Sequence, residues 1–191
     1  GREIYSIDRA GKGRVTEYDL FPWEDVEKSR VYEYDGVNTL EELTGRHANH
    51  LNAPPADEAS KPSRFEHTRY NFLGEIEETE KEQPTAYDTE GKILARERLK
   101  TIFNRARYAN GEIERETRNV FVIPSETPKV FVDEFDEKGR LVRSKDDQNI
   151  LTVYEYALTG ELLSQIECAG GGNMACDSSS THSVTAIYSV S

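Results

Sequence analysis

Along most of the chain, apolar and polar side chains alternate in short runs, and each run ends in a turn-forming cluster that contains a glycine. "VFVDEF" and "RLVRS" flank Gly139, and "LTVYEYA" and "ELLSQIE" flank Gly160. Alternation with a period of two marks strands that turn one face inward. One phrase recurs: an aromatic, a few turn residues, a glycine, one polar residue, then an aliphatic. It runs from Tyr70 to Ile76, Tyr87 to Ile93, Tyr108 to Ile113, Phe135 to Leu141 and Tyr156 to Leu162. A partial copy stands at Gly13-Arg14-Val15 and a degraded one at Tyr34-Asp35-Gly36. The Asp/Asn-x-x-Gly tips suit a type I turn followed by a residue at positive φ, where glycine carries no Cβ penalty. Gly74, Gly91, Gly111, Gly139 and Gly160 are therefore expected at hairpin turns. The aromatic before each turn and the aliphatic after it then meet as cross-strand neighbours. Tandem hairpins of this kind make an all-β antiparallel meander of about a dozen strands. Open sheets beyond roughly ten strands tend to roll up or split. The expectation is one domain over residues 1–191, twisted and curled into an open barrel or a two-layer sheet.

The stretch "EFDEKGRLVRSKDDQNILTVYEYALTGELL" resembles the YD repeat of bacterial Rhs proteins and their relatives, the teneurins among them. The family pattern is Tyr-Asp-x-x-Gly-Arg-Leu, a variable hairpin, and a Tyr-x-Tyr-Asp entrance to the next copy. Phe135-Asp136, Gly139-Arg140-Leu141 and Tyr154-Glu155-Tyr156 match it, with Phe for Tyr at 135. "AYDTEGKIL" and "VYEYDG" match further, while Ala109 and Ala157 replace the Asp in two copies and Glu or Lys replaces most of the Arg. The resemblance covers residues 65–165 well and the first 36 weakly. It implies the strand-turn-strand unit. It does not extend to the toxin-enclosing shell of the large members, which five to seven repeats are too few to close.

Two regions leave this grammar. Residues 37–64 hold a capping box at Thr39-x-x-Glu42 and a stop at Gly45, which predicts one helical turn followed by an exposed loop insertion. Residues 169–181 read as a glycine- and serine-rich loop stapled by Cys168 and Cys176, followed by a strand with Val184, Ala186, Tyr188 and Val190 on one face. That strand is expected to pair with residues 161–168. Cys168 and Cys176 are spaced to close a small loop, a staple worth ~2.6 kcal/mol on the chain-entropy formula. The alternatives are free thiols in a reducing compartment or a metal pair, for which two sulfurs without nearby histidine fall short of tetrahedral zinc.

Charge narrows the partners. With 24 Lys+Arg against 36 Asp+Glu, the net charge is −12. Binding to a nucleic-acid backbone needs a basic surface, and so does adhesion to anionic lipid. No run approaches the roughly 18 apolar residues of a membrane helix. Basic proteins, metal cations and neutral glycans remain as partners. The chain opens at Gly1 and its one methionine is Met174, as expected of a chain whose leader has been removed or replaced. With the cysteine pair, this predicts an extracytoplasmic protein: periplasmic, cell-surface or secreted.

Candidate chemistry is sparse. His47-x-x-His50 with Asp57 or Glu58 offers metal-ligand types, but the segment lacks the His-Glu-x-x-His helix of zinc proteases and reads as solvated loop histidines. His67 and His182 stand alone. The acidic runs at 75–82 and 133–139 read as charged strand faces that discourage edge-to-edge aggregation. Asp177, Ser178 to Ser180 and His182 lie together in sequence, whereas catalytic triads are assembled from distant segments. No cofactor loop and no metal set is expected, and no enzyme. Trp23, in "DLFPWEDVE", is the expected exposed contact. The functional expectation is a non-enzymatic bacterial repeat protein that binds protein or glycan as an envelope or surface module. The alternatives are an acidic inhibitor or immunity protein that neutralises a basic toxin, and a hydrolase with its site in the sheet's concavity.

Overall fold

The structure is a computed structural model; it describes residues 2–52, 61–91, 93–169, 174–176 and 183–186. Three strands come first: β1 (Arg2–Ile7), β2 (Gly13–Leu20) and β3 (Val26–Tyr34). The helix α1 (Leu40–Asn52) follows. The chain continues through β4 (Arg64–Tyr70), β5 (Ile76–Tyr87), β6 (Ile93–Arg107), β7 (Ile113–Ile123) and β8 (Lys129–Phe135). It ends with β9 (Leu141–Lys145), β10 (Ile150–Tyr156), β11 (Leu162–Ala169) and β12 (Ser183–Ala186). The strands form one antiparallel sheet whose order is the sequence order, β1 to β12.

The expected closure into a barrel does not occur: among the described residues no pairing returns β12 to β1. The reason lies in strands such as "IEETEKEQPTAY" in β5 and "ILARERLKTIFNRAR" in β6, which carry charge on both faces. Neither face offers the continuous apolar surface that a barrel interior needs.

The hairpins share one five-residue turn. Its first residue donates its N–H to the fifth carbonyl, and the fourth donates back to the first carbonyl. This holds at Asp8–Lys12, Phe21–Asp25, Asn71–Glu75, Tyr108–Glu112, Asp136–Arg140, Asp146–Ile150 and Ala157–Glu161. Gly91 likewise donates to Asp88. The fourth position has positive φ throughout and is filled by Gly11, Glu24, Gly74, Gly91, Gly111, Gly139, Asn149 and Gly160. An Asp or Asn in first place adds a side-chain clamp: Asp136 Oδ1 accepts from the N–H groups of Lys138 at 2.9 Å and Arg140 at 3.0 Å.

Three details differ from the sequence reading. The first hairpin turns on Gly11. Gly13 instead opens β2, where a Cβ would lie 2.7 Å from Leu43 Cδ1. The copy at Gly111 is one residue short, so Tyr108, not Ala109, takes the place of the Asp. Two further turns carry Glu24 and Asn149 at the positive-φ position where the repeat has glycine.

The chain divides into two compact units, Gly1–Thr101 with Phe121–Glu126, and Ile102–Val120 with Thr127–Ser191. In the first, the expected single helical turn is a helix of 13 residues. Thr39 Oγ1 accepts from the Glu42 N–H at 3.1 Å, so the predicted cap is present. Gly45 does not stop the helix. A mid-helix glycine costs about 1 kcal/mol relative to alanine, and burial of the helix face offsets it. Leu43 and His47, one turn apart, are both buried. Leu43 joins Val15, Tyr32, Tyr34 and Val37 in a core, with Tyr5, Ile7 and Phe65 against it. Residues 40–52 are thus the cover of this unit and not an exposed loop.

In the second unit the core is Leu151, Cys168 and Met174, with Val132, Val153 and Cys176 packed around it. Cys168 and Cys176 are joined in a disulfide. Cys168 lies opposite Leu151 in the β10–β11 pairing. β12 pairs with Ser164–Glu167 of β11, within the span expected for the last strand. Tyr188 and Val190 lie outside the described residues. Among those described, no helix is long and apolar enough to cross a membrane.

Candidate functional site

In the first unit the strand registers stack one face into rows. Val15, Tyr32, Phe65 and Glu82 form one row across β2 to β5. Glu17, Arg30, His67 and Glu80 form the next. Asp19, Lys28, Arg69 and Glu78 form a third. Residues two apart on a strand share a face, so an aromatic row lies beside two charged ones. α1 seals the aromatic end.

His47 is the centre of that seal. Its Nε2 lies 2.9 Å from Glu17 Oε1 and its Nδ1 3.0 Å from the Tyr34 hydroxyl. In the tautomer whose Nε2–H donates to Glu17, Nδ1 is the acceptor for the Tyr34 hydroxyl. The Tyr32 ring stands 4.7 Å from the His47 ring and 5.2 Å from Phe65. Burial pushes the Tyr32 hydroxyl up to about 12, with the Glu17 charge adding to the effect, and raises Tyr34 as well. Both phenols stay protonated and act as donors. His47 is 2% exposed, so this Tyr–His–Glu chain is closed to any substrate and serves to fix the helix. The sequence reading places it as a solvated loop histidine; the helix runs past Gly45 and buries it instead.

Beside the seal opens a cavity of about 290 Å³ lined by Tyr32, Phe65, His50 and Pro62, with Glu82 and Arg98 among its polar groups. Burial, and then neighbouring His47, lower the His50 pKa. Arg96 anchors the rim by donating to the Pro62 carbonyl at 3.0 Å. Further along the same face, His67 faces Glu80 and lies diagonal to Glu78. Ligand atoms of these three lie within 4.8 Å of one another. Arg98 pairs with Glu80, and Lys100 with Glu78 at 3.1 Å. Nε2 of His67 is buried with no hydrogen-bond partner. His67 is therefore not isolated. The signal was present in the five-residue turn at Asn71–Glu75, which fixes how β4 and β5 align.

The acidic run at 133–139 is occupied by cross-strand pairing. Asp133 accepts from Arg118 at 2.8 Å and from Ser144 Oγ at 2.6 Å. Burial alone would raise the Glu134 carboxyl, but hydrogen bonds from Arg115 and Arg143 outweigh it and hold it below the usual value. Glu134 borders a second cavity of about 370 Å³ with Tyr108, Phe135 and Val142.

Trp23 lies in the turn between β2 and β3, 53% exposed, with its ring stacked on Phe21 at 4.6 Å and 8°. In the turn between β4 and β5, Phe72 and Leu73 are 72% and 58% exposed. Asp57, Glu58, Gly170 to Gly172, Asp177 to Ser180 and His182 lie outside the described residues. Compared with known protein families and with curated proteins, the chain matches none.

Proposed function

We propose that this chain is a non-catalytic binding module of the YD-repeat kind that works outside the cytoplasm on a protein or glycan. The observation that carries the reading is Trp23 laid flat against Phe21 at an exposed hairpin tip. A rigid aromatic pair held in water at a turn costs apolar hydration that a partner would relieve, and Trp and Tyr anchors dominate binding energies at interfaces. Loops on a stiff scaffold are where binding residues gather. The hairpin grammar supports kinship with YD-repeat proteins, and the disulfide suits an oxidising compartment. The test is binding of the purified chain to glycans and to basic proteins across a salt series. Trp23→Ala should weaken binding at least tenfold with the fold unchanged. A protein partner attracted by the net charge of −12 should bind faster at low salt. A glycan should show little salt dependence. Turnover of a small substrate, abolished by a single carboxylate or histidine change, would overturn the reading.

A further inference from the structure

We propose that His67, Glu78 and Glu80 form a site for a divalent transition metal of the zinc class. The site is separate from the binding reading above and does not depend on it. One imidazole and two carboxylates from adjacent strands bring their ligand atoms within 4.8 Å of one another. Zinc takes nitrogen and carboxylate oxygen at about 2.0–2.2 Å, usually with four ligands. Small side-chain rotations bring three such atoms around one ion and leave a position for water.

The second observation is the nitrogen itself. Buried polar atoms in folded proteins nearly always have a partner, yet Nε2 of His67 is buried and has none. Such a nitrogen is suited to an electron-pair acceptor.

The neighbouring cations organise the carboxylates. Arg98 engages Oε1 of Glu80, and Lys100 lies 3.1 Å from Oε1 of Glu78. Arg69 stands 3.6 Å from Oε2 of Glu78, beyond hydrogen-bond reach. Both carboxylates are thus held by cations, Glu80 through one oxygen and Glu78 through both, as outer partners orient ligands in metal sites. The same cations repel any ion, which selects one that gains from the imidazole bond. Calcium and magnesium prefer all-oxygen sets of six or more ligands.

The experiment strips the whole chain with a chelator and titrates it with Co²⁺, then displaces the cobalt with Zn²⁺. One cobalt per chain is expected, with visible absorption of a low-coordinate nitrogen–oxygen site. His67→Gln and Glu80→Gln should each weaken binding at least tenfold, while Asp147→Asn, a remote acidic control, should leave it unchanged. In the unmodified chain, bound Co²⁺ should perturb the amide resonances of residues 66–68 and 78–80, a readout that needs no variant to fold. Absence of stoichiometric binding, perturbation centred elsewhere, or equal affinity in His67→Gln would overturn the proposal.

Discussion

In Gly1–Thr101, a helix of 13 residues seals the sheet around Val15 and Tyr32, with Leu43 and His47 pressed onto it. In the unit built on Ile102–Val120 and Thr127–Ser191, no helix is present among the described residues. There a disulfide holds Met174 over Leu151. Both units use the same hairpin turn and antiparallel strands. The contrast shows that these strands cannot make a core from their own side chains. Hydrophobic residues are 36% of the chain and charged ones 31%, and the charges occupy both faces of the middle strands. Each unit therefore recruits a cover from outside the hairpins, by helix packing in one case and covalently in the other. Elsewhere on the sheet, cross-strand pairs such as Arg105–Glu116 at 2.7 Å hold neighbouring strands together. Such part-exposed pairs contribute about 0–1 kcal/mol each.

The largest expected effect comes from removing the helix's anchor. Leu43 is fully buried, and Leu→Ala at such sites costs about 2–5 kcal/mol. Leu43→Ala should lower the denaturation midpoint, with faster hydrogen exchange concentrated in β1, β2 and β3. Exchange that rises equally in β10 and β11 would show that the two covers act as one. The counterpart is reduction of the Cys168–Cys176 bond, expected to cost about 2.6 kcal/mol. Its exchange signature should fall on β10, β11 and β12, while Trp23 fluorescence, the chain's one tryptophan signal, changes little. A loss of Trp23 signal on reduction would break the comparison from the other side.

Acid gives the smallest and most selective test. His50 and His67 both titrate below the ordinary histidine value of 6.5 in the folded chain. As pH falls through 6.5 the unfolded chain takes up protons that the folded unit refuses, so stability decreases with acidification. Glu134, held below its ordinary 4.5, acts in a different window: its stabilisation is present above 4.5 and is lost as pH falls through the lowered value. Between pH 7 and 5.5, denaturation followed by Trp23 should shift to lower denaturant, while exchange protection of β7 to β9 should hold. Equal loss in both places would remove the histidines as the cause.

The turns were legible because they are local objects. A positive-φ residue and two backbone hydrogen bonds lie within five residues, and glycine with a preceding Asp or Asn announces them. Where Glu24 and Asn149 fill the glycine position, the announcement fails although the geometry persists. The cysteine pair was equally local, 8 positions apart. The start of the helix was legible in the Thr39–Glu42 cap, but its length was not. Gly45 and two histidines lower its own propensity, and what stabilises it is the fit of Leu43 over Gly13, some 30 residues away in sequence.

By itself the sequence determined the hairpin grammar, the all-β class, the close spacing of the two cysteines and the net negative charge, since each follows from neighbouring residues or from composition. Tertiary structure alone decided that the sheet stays open, that His47 is buried against Tyr34 and Glu17, and that His67 meets Glu78 and Glu80. These depend on strand register and on which side chains reach across it. A slip of one residue would turn every one of them to the opposite face.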